Sequence, residues 1–299
     1  MTSLALALVL IAAVLHPAWN LLAKRASGGD QTTFVWLTSA LSAAMYVPVV
    51  IAVTAIGHQR LHNAIWVDLG MMAGTGVLHQ IYFFLLQRSY RASEFSLVYP
   101  VARGTAPMIT AVVAVAVFGE RLALLQVAGV AIIVVAIFII AGGNAGTVTS
   151  DTARLTLRRS LGYGFATAVS IAAYTLWDKQ AVSVFAISPV LYDAGRTASQ
   201  TLLMAPAVLL SNEKRIALRR TWGEFRREAF GVALLSPLAY LLILYALTTA
   251  PVSLVAPLRE SSIIIGACMG ALFFGEGQLR RRIVAASLML FGIVLLARG

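Results

Sequence analysis

Two short segments place an arginine close to a proline inside long apolar runs. The sequence SLVYPVARG covers residues 96–104, and the similar sequence SLVAPLRES begins at Ser253. A charge near the middle of a bilayer costs about 3 kcal/mol on insertion scales, so such a residue usually faces a cavity or a partner. Arg103 and Arg259 align if one residue is deleted, and a guanidinium can bind a carboxylate or phosphate through two hydrogen bonds. The two arginines therefore predict a site for an anionic group.

The position of the arginines leaves an alternative open. Both lie nearer to the start of an apolar run than to its middle, so their side chains could instead reach the lipid headgroups. Glu260 follows Arg259 directly, but neighbouring helical residues point about 100° apart, so Glu260 need not neutralise that arginine. It could pair with Arg103, contact a substrate ammonium group or titrate.

Prolines interrupt the same two runs. Pro100 and Pro257 each remove the hydrogen bond of the carbonyl four residues earlier, and Pro107 does the same to the carbonyl of Arg103. Such kinks could serve packing alone, but the first two are each followed within three residues by an arginine. We therefore interpret Pro100, Pro107 and Pro257 as hinges of bent helices that line the site.

The remaining candidates are aromatic or polar side chains within apolar runs. Trp19 and Tyr174 hold the same place in two similar segments, AWNLLAK (18–24) and AYTLWDK (173–179). These side chains combine a flat apolar face with a polar tip, which suits a cavity wall, although helix packing or lipid contact would use them equally well. Asp193 and Arg196, at i and i+3, are expected to pair with each other. The predicted substrate-binding set is Trp19, Asn20, His79, Tyr82, Tyr99, Arg103, Tyr174, Tyr240, Arg259 and Glu260.

The elements that carry these residues are membrane helices. The chain has 299 residues, of which 60% are hydrophobic and 12% charged, with a mean hydropathy of +0.85. Soluble domains are about a quarter charged. The apolar runs are continuous and long enough to cross a hydrocarbon core, which favours helices over the alternating strands of a β-barrel. Ten spans are predicted, at 3–24, 33–56, 65–87, 94–118, 122–142, 160–180, 187–210, 229–249, 252–274 and 282–297.

Internal similarity divides the ten spans into two repeats. The tripeptide FGE at 118–120 recurs at 274–276, and SLV at 96–98 recurs at 253–255. The sequence therefore predicts a first repeat over 1–142, a polar linker over 143–159 and a second repeat over 160–299. Each repeat holds five spans, so the second is inverted relative to the first, and a site is expected at the interface near the bilayer midplane.

The charge distribution predicts the orientation of the chain. Most of the 23 Lys and Arg residues lie in or beside the odd-numbered loops, which the positive-inside rule places in the cytoplasm, with both termini outside. The net charge of +11 therefore indicates contact with anionic lipids rather than with nucleic acid. The basic segment 212–228 is interpreted as a cytoplasmic loop lying on the headgroups.

The repeated segments resemble a known family. VYPVARGTAPMITAVVAVAVFGERL (98–122), VAPLRESSIIIGACMGALFFGE (255–276) and HPAWNLLAKRASG (16–28) are similar to the paired EamA domains of the drug/metabolite transporter superfamily. The resemblance covers residues 5 to 297. It implies a ten-helix transporter with a central cavity that moves small metabolites such as amino acids, often outward. The expected location is a bacterial-type inner membrane.

Together these observations favour a secondary transporter that exports an amino acid or a related compound with an anionic group, by alternating access. Export of drugs or organic cations, and a receptor or accessory subunit that binds without transport, remain alternatives. No nucleophile with its base and no metal-ligand set stands out, so neither an enzyme nor a cofactor is expected. The expected partners are a small-molecule substrate and lipids in a monomeric protein. Protons are an open candidate for the coupling ion, and Glu260, Asp193 or a histidine would have to carry them.

Overall fold

The fold is a bundle of α-helices without β-strands over the residues that the structure describes. The computed structural model describes residues 3–56, 65–92, 95–118, 123–145, 151–249, 259–275 and 279–298. These ranges contain ten α-helices. They are α1 Ser3–Arg25, α2 Gln31–Ala55, α3 Ile65–Ala92, α4 Phe95–Phe118, α5 Leu124–Ala145, α6 Asp151–Lys179, α7 Pro189–Leu209, α8 Asn212–Thr249, α9 Ser262–Phe274 and α10 Leu279–Arg298.

Each of the ten predicted spans overlaps one of these helices, although the first part of the span predicted at 252–274 lies outside the described residues. Four segments within the described ranges are long and apolar enough to cross a membrane by themselves: Ser3–Gly28, Gln31–Ala55, Ile65–Ala92 and Asn212–Ala246. Two shorter apolar stretches, Leu124–Ala136 and Ser262–Phe274, lie in α5 and α9. A membrane crossing by all ten helices stays a prediction.

Helical structure extends further than the apolar runs. Helix α5 continues to Ala145 and α6 begins at Asp151, so both helices enter the segment 143–159 that was interpreted as a linker. The prediction of a loop at 212–228 is wrong, because these residues form the first part of α8. Their Glu, Lys, Arg, Ala and Leu residues are good helix formers, and Arg220 and Glu224 pair at i and i+4. The helix bends at Phe225, whose φ of −124° and ψ of 22° are not helical.

The helix contacts follow a twofold pattern. If each helix of the first repeat is exchanged with the helix five places later, the contact of α1 with α8 becomes that of α6 with α3. The contact of α4 with α6 likewise becomes that of α9 with α1, and that of α3 with α7 becomes that of α8 with α2. The contacts of α2 with α7, α4 with α9 and α5 with α10 exchange with themselves. The two five-helix repeats therefore occupy equivalent positions in the packing of the bundle.

Small residues allow the helices to approach closely. A Cβ on Gly266 would come within 2.5 Å of Cδ1 of Tyr99, and one on Gly74 within 2.3 Å of Cζ2 of Trp177. These glycines therefore pack α9 on α4 and α3 on α6, as small residues do between membrane helices.

Large apolar side chains lie on both the inside and the outside of the bundle. One buried cluster in the centre combines aliphatic residues with aromatic ones, including Trp19, Tyr82, Phe95 and Tyr174. Exposed apolar residues lie on the outer faces, among them Leu10, Ile51, Leu124, Leu202 and Phe291. Such an outer surface would aggregate in water but suits lipid.

Candidate substrate site

A small cavity of about 30 Å³ lies among the central helices. It is bordered by α1, α3, α4, α6, α7 and α8, so both repeats contribute. Its lining residues are His16, Trp19, His79, Tyr82, Phe83, Arg103, Tyr174, Arg196, Ser236 and Tyr240. Six of the ten predicted binding residues are therefore together at one cavity: Trp19, His79, Tyr82, Arg103, Tyr174 and Tyr240.

Aromatic rings form most of the cavity wall. The rings of His79 and Tyr174 are stacked with centroids 4.1 Å apart, and Tyr82 meets Tyr174 edge to face at 5.5 Å. Tyr240 meets His79 edge to face at 5.7 Å. Such a wall can hold an apolar or flat group by packing while its polar tips donate hydrogen bonds.

A group of three charged residues lies beside this wall. Nη2 of Arg103 donates to Oε1 of Glu260 at 3.3 Å, and Nη2 of Arg259 lies 2.9 Å from the same oxygen. Glu260 thus contacts both arginines. One of them is Arg259, its neighbour in the sequence, although helix geometry alone did not require that contact. We call Arg103, Arg259 and Glu260 the arginine pole. It has two positive charges for one negative charge, and Arg103 and Glu260 are buried.

Two donors at the cavity lack acceptors. Nε1 of Trp19 and Nε of Arg103 are both buried, and neither has a hydrogen-bond partner among the described residues. Nε of Arg103 lies 3.3 Å from Oε2 of Glu260, but the geometry is not that of a hydrogen bond. A buried unpaired donor is costly. Both groups can therefore gain a bond from an acceptor that enters the cavity.

A second charged group lies behind Tyr240. Asp178, near the end of α6, accepts hydrogen bonds from the hydroxyls of Thr75 and Tyr192 at 2.6 Å each, both on Oδ1. Its other oxygen, Oδ2, accepts from the hydroxyl of Tyr240 at 2.5 Å. Three helices, α3, α7 and α8, thus converge on one carboxylate of α6.

The predicted pair of Asp193 and Arg196 is confirmed. Nε of Arg196 lies 2.5 Å from Oδ1 of Asp193, and the hydroxyl of Tyr46 in α2 donates to Oδ2 at 2.5 Å. The Arg196 guanidinium carbon lies 5.7 Å from the centroid of the Tyr240 ring. Arg196 therefore lines the cavity with its charge already matched.

The other predicted binding residues do not line the cavity. Asn20 donates to the His16 carbonyl and accepts from the Tyr90 hydroxyl at 2.6 Å, which joins α1 to the end of α3. Lys24 donates to the carbonyl of Tyr90. Tyr99 stacks on Phe95 with ring centroids 5.2 Å apart. Glu260 contacts Arg103, and Arg259 contacts Glu260, so neither of them lines the cavity.

The three predicted hinges stay predictions. Helix α4 continues through both Pro100 and Pro107 as one element. Pro257 lies outside the described residues. The position of Pro100 three residues before Arg103 still places it one turn from the cavity.

A larger pocket of about 840 Å³ lies between the α1–α2 turn, the end of α3 and the start of α8. Asp30 on its rim caps α2 by accepting from the Thr33 amide at 2.8 Å, and Lys214 of α8 lies 2.7 Å from its other oxygen. Partial burial opposes ionisation of Asp30, but the hydrogen bonds from Lys214 and Thr33 outweigh it and hold the pKa of its carboxyl below its ordinary value.

Sequence reasoning missed four lining residues and one of their neighbours. Phe83 and Ser236 are ordinary residues of apolar helices, and neither His16 nor Arg196, which was expected to pair with Asp193, belonged to the predicted set. Asp178 carried the clearest signal, since it is a carboxylate in an apolar run where the matching position of the first repeat is Ala23. It became interpretable only when the structure showed which hydroxyls contact it.

Taken together, the helical bundle, its two equivalent repeats and the polar cavity at their interface define a multi-pass membrane transporter. The chain belongs to the EamA-like transporter family, whose model matches residues 3–142 and 158–298. This membership identifies it as a transporter of the drug/metabolite type.

None of the curated proteins matches this chain in sequence. A solved protein crystal structure shares the fold with a TM-score of 0.61. The alignment has 17% identity and covers 100% of this chain and 99% of the other.

Proposed function

We propose that this transporter exports a small metabolite with an anionic group, an amino acid or a related compound, by alternating access through the central cavity. The arginine pole is the observation that carries the proposal. Its two guanidinium groups share one carboxylate, and Arg103 reaches the cavity with an unpaired Nε. A substrate carboxylate or phosphate would supply both the missing charge and the missing acceptor.

The size of the cavity supports a conformational step. Ligand sites usually measure about 300–1,000 Å³, whereas this cavity measures about 30 Å³. The wall residues contact each other in this state, so substrate entry requires them to separate. The equivalent packing of the two repeats suits a rocking motion about the cavity.

A second candidate substrate class is an organic cation. Asp178 is the observation that favours it, because a carboxylate next to tyrosine rings is a common environment for positively charged groups. A receptor function without transport is tested separately by counterflow of a labelled compound across a bilayer.

Ligand-induced stabilisation tests the proposal directly. The purified protein would be melted with amino acids, phosphorylated metabolites and quaternary amines, because a ligand that binds the folded state raises its melting temperature. The stabilisation by the true substrate should disappear in Arg103→Ala or Arg259→Ala. It should persist in Arg220→Ala, a matched arginine whose side chain is 80% exposed.

If the alanine variants do not fold, Arg103→Lys keeps the charge and removes the planar fork. The substrate should then bind more weakly. A compound that stabilises the wild type and all arginine variants equally would contradict the proposed role of the pole. In liposomes, counterflow would establish transport, and flux indifferent to a pH gradient would identify facilitated diffusion instead of proton exchange.

A further inference from the structure

Asp178 differs from two other buried carboxylates of the bundle. Asp193 is bound by Arg196, and Glu260 by both arginines of the arginine pole. Within the described residues, Asp178 forms no ion pair, and it accepts hydrogen bonds from the three hydroxyls of Thr75, Tyr192 and Tyr240. A buried carboxylate that is bound only by hydroxyl donors has no paired cation to offset the cost of burying its charge. It is therefore the group in this region that is best suited to receive a cation.

The same carboxylate is connected to the cavity by Tyr240. The ring of Tyr240 lines the cavity, while its hydroxyl donates to Oδ2 of Asp178. Tyr174, four residues before Asp178 and on the same face of α6, also lines the cavity. Tyr174 has Arg103 and Asp178 among its charged neighbours. The positive group Arg103 thus borders the cavity, the negative group Asp178 is joined to it through Tyr240, and Tyr174 lies close to both.

We propose that Asp178 binds the ammonium group of the substrate, so that the cavity selects zwitterions that carry both an ammonium and a carboxylate. The inference rests on the proposed function, since it assigns the carboxylate to the arginine pole. An ammonium group has three N–H donors and replaces the Tyr240 hydroxyl on Oδ2. No proton is transferred, and the two charges of the substrate match the excess charge at each group.

The arrangement predicts discrimination by charge. A compound with only a carboxylate leaves Asp178 unmatched, and a compound with only an amine leaves the arginine pole unmatched. Burying one unmatched charge is costly, so both should bind more weakly than the amino acid with the same side chain.

Two matched series of probes test the proposal in thermal-shift and equilibrium binding assays. One series is L-leucine, isocaproate and isoamylamine, and the other is L-phenylalanine, hydrocinnamate and phenethylamine. A charge-assisted hydrogen bond is worth about 1.5–3 kcal/mol, so Asp178→Asn should weaken the amino acids and the amines by about 10-fold or more. The two carboxylic acids should bind this variant at least as well as the wild type.

The asparagine variant is close in shape and can still accept from Thr75 and Tyr192 through its amide oxygen. The matched control is Asp30→Asn, which removes a carboxylate at the start of α2, far from Asp178 in the sequence. This variant should leave the binding of every probe unchanged. If Asp178→Asn does not fold, Tyr240→Phe removes only the competing hydroxyl. The amines and amino acids should then bind about 5-fold tighter, because about 1 kcal/mol of hydrogen bonding is no longer displaced.

The outcomes separate this inference from the proposed function. Amino acids that need Arg103 but bind Asp178→Asn as tightly as the wild type would overturn the inference and leave the proposed function standing. Amines that bind through Asp178 while no amino acid binds would overturn both and favour the organic cation. Binding of no probe to the wild type would also overturn both.

Discussion

At the scale of single residues, the central side chains are positioned by contacts with one another. Tyr174 is stacked on His79, and His79 lies 3.0 Å from the hydroxyl of Thr75 through Nδ1. Thr75 in turn donates to Asp178. Each aromatic pair contributes about 1 kcal/mol beyond the burial of its surface. Opening the cavity therefore requires several modest contacts to break together.

The close approach of α9 and α4 gives a prediction at this scale. Gly266→Ala places a Cβ about 2.5 Å from Cδ1 of Tyr99, so Tyr99 or the helix must shift. We expect the free energy of unfolding to fall by about 1–3 kcal/mol, which would be measured as a lower melting temperature in detergent. Gly70→Ala is the control, because no heavy atom lies within 4 Å of the new Cβ. Equal melting temperatures for the two variants would contradict this packing.

Repetition made some residues predictable. Trp19 and Tyr174 occupy equivalent positions of the two repeats, and the structure places both at the cavity. Asn20 is adjacent to Trp19 in the sequence, but it points to Tyr90 of α3, and only the packing of the two helices decides this. The partners of Asp178 come from three other helices, so no local pattern could reveal them.

At the scale of helices, α8 shows why a charged segment is easily misread. The basic segment at its start is not part of an apolar run, so hydropathy does not reveal it, but its residues have good helix propensity. The kink residue Phe225 lies close to Gly29 in the α1–α2 turn, where a Cβ would come within 2.9 Å of Cε2. The first part of α8 thus packs on that turn.

The contact between Asp30 and Lys214 also joins α8 to the start of α2. Because the pKa of Asp30 is below its ordinary value, the contact contributes stability above about pH 4 and loses it as the pH falls through the folded-state pKa. The melting temperature of the wild type should therefore approach that of Asp30→Asn in acid and exceed it at neutral pH. A constant difference across this range would contradict the assignment.

At the scale of the whole molecule, the apolar runs predicted where helices occur but not how far each helix extends. Each of the ten predicted spans overlaps a described helix, because a continuous apolar run in a bilayer satisfies its backbone hydrogen bonds as a helix. The inverted arrangement of the repeats, which was predicted from the odd number of spans in each, stays a prediction. The small size of the central cavity could not be predicted from the sequence, because it depends on contacts between helices far apart in the chain.

The predicted orientation can be measured in intact cells. In a Cys268→Ala background, Ser188→Cys before α7 and Ser211→Cys before α8 lie at opposite ends of α7. A membrane-impermeant maleimide added outside should label position 188 and leave position 211 unlabelled until the cells are opened. Labelling of position 211 alone from outside would reverse the orientation, with both termini then in the cytoplasm.

The equivalent ends of α1 and α6 are closed by different chemistry. The end of α1 is joined to Tyr90 through the neutral Asn20, whereas the end of α6 has Asp178 where α1 has Ala23. The end of α1 is thus bound to Tyr90 through an amide and a lysine, whereas the end of α6 is bound to its neighbours through an anion. Under the proposed transport, salt added on one side of the membrane should therefore change the rate of counterflow to a different extent from salt added on the other side.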